Sequence, residues 1–172
     1  MKWKKKLKNF LDNEVNNMRK FKTRKSRKSR KSRKTGIKLS RRAKELLDCI
    51  NKSIPLDDYI NEAKYHLKSG LEYGADEDEI LEAVSYSIDE LSESVEELLG
   101  AAEELVSELN GEGLAKDLVI LLESMKDLID EFFYDEIDLD EVENILNKMK
   151  RLNKEIVETV KDINKKYGYS TR

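Results

Sequence analysis

Between Asp76 and Asn110 the residues Ile88, Leu91, Val95, Leu98, Ala102, Leu105 and Leu109 recur at alternating steps of three and four, with no proline among them. Only a long α-helix gathers residues so spaced on one side, and such a seam has to meet partners along its whole length. About 33 residues at about 1.5 Å each would span about 50 Å. Leu81, Leu99 and Val106 widen the stripe, so this helix should touch more than one neighbour. Its length exceeds that of a compact domain, and pairing of part of the seam with another subunit is the expectation that follows.

The rest of the C-terminal three quarters repeats the pattern. Ser40 is placed to cap a helix through about Lys52 with Leu39, Ala43, Leu46, Leu47 and Ile50 on one face. Pro55 ends it and opens another, in which Leu56, Tyr59, Ile60, Ala63, Leu67 and Leu71 lead to Gly74, a suitable left-handed cap. Asp76 with Glu79 reads as a capping box for the long helix, and "NGEG" from Asn110 ends it. A helix from about Leu114 to Phe133 is apolar round most of its circumference through Leu118, Val119, Ile120, Leu121, Leu122, Met125, Leu128, Ile129 and Phe132, which marks the bundle centre. Asp138 with Glu141 opens the last helix, which runs to about Tyr167 through Val142, Ile145, Met149, Leu152, Ile156, Val160 and Ile163. Short connections favour antiparallel neighbours. The predicted fold is all-α: an up-and-down helical bundle of the last three long helices, with the two shorter ones packed on it. One proline, seven glycines and 40% charged residues agree with a helix-rich chain.

Charge divides the chain into blocks. Residues 1–44 hold 20 Lys and Arg against two acids, a net of +18; residues 45–144 hold 5 against 31, a net of −26; residues 145–172 return to +5. The overall net charge of −3 hides this. The blocks define a basic amphipathic helix at 1–21, a basic arm at 22–38 and an acidic helical bundle domain at 39–172. In the first, Trp3, Leu7, Phe10, Leu11, Val15, Met18 and Phe21 form a stripe with lysines around it. That stripe needs a cover: the body, another subunit or a membrane surface.

The arm repeats a triplet, a hydroxyl residue followed by Arg-Lys, four times from Thr23 to Lys34. Nine cations between Lys22 and Lys34 repel one another at every helical spacing, and no apolar group offsets the entropy of ordering. A polyanion changes the balance, because each neutralised phosphate releases a condensed counterion. Arginine forks, lysine point charges and small serines suit phosphates, and nothing in the repeat suits base edges. The expected phosphate contacts are Arg24, Lys25, Arg27, Lys28, Arg30, Lys31, Arg33 and Lys34, with Lys22 beside them and Arg19, Lys20, Arg41 and Arg42 extending the track. The partner is then nucleic acid, DNA or RNA, through its backbone, with a homo-oligomer as a further expectation. Anionic lipid, approached together with the amphipathic helix, and the acidic body of the same or another subunit are the alternatives.

Enzymatic chemistry finds little foothold. The acids from Asp135 to Glu141 lack the glycine and ligand spacing of a calcium loop, and a single histidine cannot supply the two Glu-x-x-His pairs of a di-iron bundle. No glycine-rich phosphate loop, nucleophile elbow or zinc motif occurs, so neither catalysis nor a cofactor is expected. The lone Cys49 leaves no internal disulfide, and neither a membrane-length apolar run nor the apolar stretch of a signal peptide is present. A soluble intracellular protein of the cytoplasm, nucleoid or a nucleoprotein particle is expected.

"HLKSGLEYGADEDEILEA", His66 to Ala83, resembles the segment that follows the redox cysteines in the carboxymuconolactone decarboxylase and alkylhydroperoxidase family. The resemblance implies a Cys-x-x-Cys pair seven and four residues before the histidine. Tyr59 and Glu62 occupy those positions, which leaves redox chemistry without thiols. In organisation alone, a basic arm before a helical body is similar to the coat proteins of filamentous archaeal viruses and to ribosomal and chromatin proteins.

Overall fold

The computed structural model describes residues 38–54, 56–134 and 136–169. Five helices fill them: α1 Arg41–Ser53, α2 Asp57–Glu72, α3 Glu77–Glu108, α4 Gly113–Tyr134 and α5 Leu139–Lys166. The amphipathic helix expected at 1–21, and the arm except for Lys38, lie outside the described residues.

Sequence sets the boundaries through local chemistry. Ser40 precedes α1 with its hydroxyl accepting from the Ala43 N–H at 3.0 Å, and Asp138 accepts from the Glu141 N–H at 2.8 Å before α5. After α2 the chain turns at Gly74, φ +69°, where the Ala75 N–H reaches back to the Gly70 carbonyl at 2.9 Å. This is the left-handed cap that an L side chain resists. The capping box expected at Asp76 does not form. Asp76 takes the N-cap position in extended backbone, but its side chain makes no cap bond. Three acids follow it at Glu77, Asp78 and Glu79, so the helix dipole is met by carboxylates in the first turn instead.

The bundle is all-α with four antiparallel members, and the first member is broken. Pairs between α1 and α5 run Asp48 with Tyr169 and Asn51 with Asn164; between α2 and α5 they continue Asp57 with Asn153, Asn61 with Lys150 and Lys64 with Asn147. One number rises as the other falls, so α1 and α2 lie in series along α5. Both also run antiparallel to α3: Ser40 and Arg42 meet Glu108 and Glu104 at one end, and Gly70 faces Ile80 near the other. The two short helices are therefore one interrupted rod filling the fourth place in the ring, rather than additions to a three-helix bundle. An interruption where the sequence has Ile54-Pro55-Leu56 hides this unity from a reading of helices one by one.

The rod also completes the long seam. Ile88, Leu91, Val95, Leu98, Ala102 and Leu105 are fully buried within the chain, so the part assigned to a second subunit is filled by α1, α2 and α4. The central helix α4 buries Leu114, Leu118, Leu121, Leu122, Met125, Leu128, Ile129 and Phe132. Leu71 departs from its expected place and is 56% exposed. It shares the face of Leu67 but lies in the last turn of α2, one residue past Gly70 and its approach to Ile80.

Candidate nucleic-acid interface

Of the residues expected to meet phosphates, Arg19, Lys20, Lys22, Arg24, Lys25, Arg27, Lys28, Arg30, Lys31, Arg33 and Lys34 lie outside the described residues. Arg41 and Arg42 are described, and they sit where the arm enters the bundle. The first turn of α1 carries no acid and two arginines, an arrangement that opposes the helix dipole. The structure offsets it from outside the helix. The Arg42 guanidinium donates to Glu104 through Nε at 2.9 Å and Nη2 at 2.6 Å, and through Nη1 to Glu45 at 3.4 Å. The Ser40 hydroxyl, besides capping α1, donates to Glu108 at 3.2 Å. The Arg41 side chain is 95% exposed and, among the described residues, pairs with Glu45, 3.7 Å away on its own helix. The two arginines thus divide: Arg42 is a clamp onto α3, whereas Arg41 points its charge into solvent beside the exposed Lys38.

Behind this entry lies a surface of a single sign. The 32 residues of α3 include twelve acids, no lysine, no arginine and no histidine, and all twelve acids are exposed. The other long helices mix their charges, with Lys116 and Lys126 on α4 and seven Lys or Arg on α5. An apolar groove of about 320 Å³, lined by Val106, Val119, Ile120 and the flanking Glu103 and Lys116, separates α3 from α4.

The opposite chain end is fixed at the same pole. Glu112, just before α4, accepts from the Ala115 N–H at 3.0 Å and from the Lys166 ammonium at 2.6 Å. Its side chain is 8% exposed and that of Lys166 18%. Burial works against the Glu112 carboxylate, but Lys166 together with the Ala115 and Leu114 N–H groups outweighs it and holds the pKa below the ordinary value. Burial and the nearby Glu112 charge push the Tyr167 phenol upward. The Tyr169 hydroxyl donates to Asp48 at 2.7 Å and, with Lys52, lowers the Asp48 pKa. Asn51 and Asn164 exchange amide hydrogen bonds at 3.0 and 2.8 Å. These contacts tie α1 and α4 to the end of α5.

Glu104, Glu108, Glu112 and Lys166 escaped the reading of the sequence, since each partner lies more than 50 residues away. No local signal marks such pairs. His66 is partly buried on α2, 3.6 Å from Glu62 and edge-on to the Tyr65 ring at 5.9 Å. Among the described residues no group of three or more His, Cys, Asp or Glu side chains is arranged to hold a metal ion, and no helix is long and apolar enough to cross a membrane.

Comparison with known proteins finds no matching family model, no matching curated protein and no matching solved structure. The likeness of His66–Ala83 to the alkylhydroperoxidase segment is therefore confined to a helix, a Gly74 cap and an acidic helix start, each with its own physical cause.

Proposed function

We propose that this chain is a non-enzymatic, sequence-nonspecific nucleic-acid-binding protein, with a packaging or architectural role, whose basic N-terminal arm neutralises phosphates while the helical bundle carries it. The observation that carries this reading is the segregation of charge: nine cations without one acid from Lys22 to Lys34, joined to a bundle that holds twelve exposed acids on one helix. The same polyanion that attracts the arm is repelled by α3, so the bundle stands off the nucleic acid and the arm reaches it. Arg41, exposed at the junction beside Glu45, supports a cation track with a fixed end.

The test is fluorescence anisotropy of the intact protein with labelled duplex DNA, single-stranded DNA and RNA over a salt series. If six to eight phosphates are neutralised on duplex DNA, log K falls against log salt with a slope of about −5 to −7. Replacing Arg24, Lys25, Arg27, Lys28, Arg30, Lys31, Arg33 and Lys34 by Gln should remove the binding and leave helix content unchanged. Absence of binding at low salt, or an unaltered slope in the substituted protein, refutes the reading.

A further inference from the structure

We infer that, without a polyanion, the basic arm of this chain docks along the outer face of its own α3, which makes that face an interaction surface for an extended cationic segment. The inference deepens the proposed function and rests on it for the competing ligand, because a nucleic acid would have to displace the arm from α3.

Three observations lead to it. The first is the unbalanced charge of α3. Negative side chains along a helix at three- and four-residue spacing repel one another, and those in the last turns also face the negative end of the helix dipole. Glu103, Glu104 and Glu108 stand there; Arg42 meets Glu104, but α3 itself has no base in its last turn. Among the described residues no cationic segment covers this surface. Neither α4 nor α5 presents a comparable face, because lysines and arginines already lie among their acids.

The second observation is that the chain already approaches this face. Residues that directly follow the arm engage α3 at its C-terminal end, Ser40 with Glu108 and Arg42 with Glu104. Arg42 shows the chemistry in miniature: a guanidinium holding a carboxylate through two of its nitrogens across two helices. The arm begins within a few residues of these contacts, so docking adds little closure entropy to a chain already anchored there.

The third is length. Helix α3, with 32 residues, extends about 48 Å. Residues 22–37 number sixteen and reach at most about 53 Å at about 3.3 Å per residue. The chain before Ser40 heads past the C-terminal end of α3, so about three residues go into a turn, and an extended arm running back then covers about 40 Å, most of the helix. The rise per residue is about twice as large in the arm as in the helix, which fixes an order: Lys34 falls on the C-terminal half of α3 and Lys25 on its N-terminal half.

Carbodiimide coupling of the intact wild-type protein, followed by peptide mass spectrometry, reads this order directly, because it condenses a lysine amine with a carboxylate in contact. An equal mixture of isotopically light and heavy protein separates links within a chain from links between copies. The expected result at low salt is a ladder within single chains, with Lys34 joined to the C-terminal half of α3 and Lys25 to its N-terminal half, which duplex DNA erases. Links spread evenly over α4 and α5, or links found only between light and heavy copies, overturn the docking. Anisotropy on the same sample keeps the two readings apart. DNA binding without a ladder rejects the docking alone. A ladder in a protein that binds no nucleic acid rejects the proposed function and leaves the docking standing.

Discussion

The ion pair of Glu112 with Lys166 offers a quantitative test of how the chain ends are held to the bundle. Replacing Lys166 by Met keeps the side-chain stem and removes the ammonium. The Glu112 carboxylate, 8% exposed, then retains the Ala115 N–H but loses its counter-ion. Breaking one side of such a pair should cost about 2–3 kcal/mol, less than for a fully enclosed pair because the backbone still solvates the anion. Replacing Glu112 by Gln keeps an acceptor for Ala115, and the longer, more exposed Lys166 can swing its charge to water, so the loss should be about 1 kcal/mol. The double variant has no buried charge to strand. Its loss should fall short of the sum of the singles by about 1–2 kcal/mol. Urea unfolding followed by far-ultraviolet circular dichroism measures all three, and about 2–4 °C of Tm per kcal/mol gives a thermal check. Additive losses, or a Glu112 variant weaker than the Lys166 variant, would refute this account of the pair.

Three further outcomes are expected. Glu112 and Asp48 have lowered pKa values in the folded state, so the stability they contribute is present above their unfolded values of about 4.5 and 3.8 and is lost as pH falls through the folded ones; acid titration of unfolding should show the Glu112→Gln protein losing less stability than wild type between about pH 5 and 3. Leu98→Ala, at a fully buried seam position, should cost about 3 kcal/mol in the same urea assay, and a loss below about 1 kcal/mol would mean the seam is not packed as described. Gly70→Ala and Gly74→Ala should differ in kind. A Cβ at Gly70 would clash with Ile80 Cγ1, a clash that Ile80→Ala relieves, whereas Gly74 has open space among the described residues and its φ of +69° to resist a side chain, a loss of about 1 kcal/mol that no neighbour substitution restores.

Most of the helical architecture was legible because its causes are local. The caps at Ser40 and Asp138, the Gly74 turn and the three-four spacing of α3 act within one or two turns of helix, and each sits where its residues predict. What was not legible depends on depth and distance. Asp76 matched a cap pattern but had acidic neighbours able to meet the dipole without it. Leu71 carried the right spacing but lies in the last turn of α2, where it is exposed. The union of α1 and α2 into one rod follows from their shared neighbours α3 and α5, which no window around Pro55 contains. Of the proposed cation track, Arg41 and Arg42 are neighbours in sequence and alike in chemistry, yet Glu104, 62 residues on, separates their roles.

The contacts of Asp48 with Tyr169 and of Asn51 with Asn164 have a mechanical consequence. Chain enters α1 and leaves α5 at the same pole, and these two helices lie antiparallel. Tension applied between the arm and the C-terminus therefore loads them as a zipper, from the pole inward, and not as two rods sheared past each other. On the arm side the bonds of Ser40 and Arg42 to α3 take the force first and the buried Ala43, Leu46 and Leu47 follow, while on the C-terminal side the Tyr169 bond to Asp48 precedes the asparagine pair. Such a molecule yields in small steps at its tethered end while α3 and α4 stay packed.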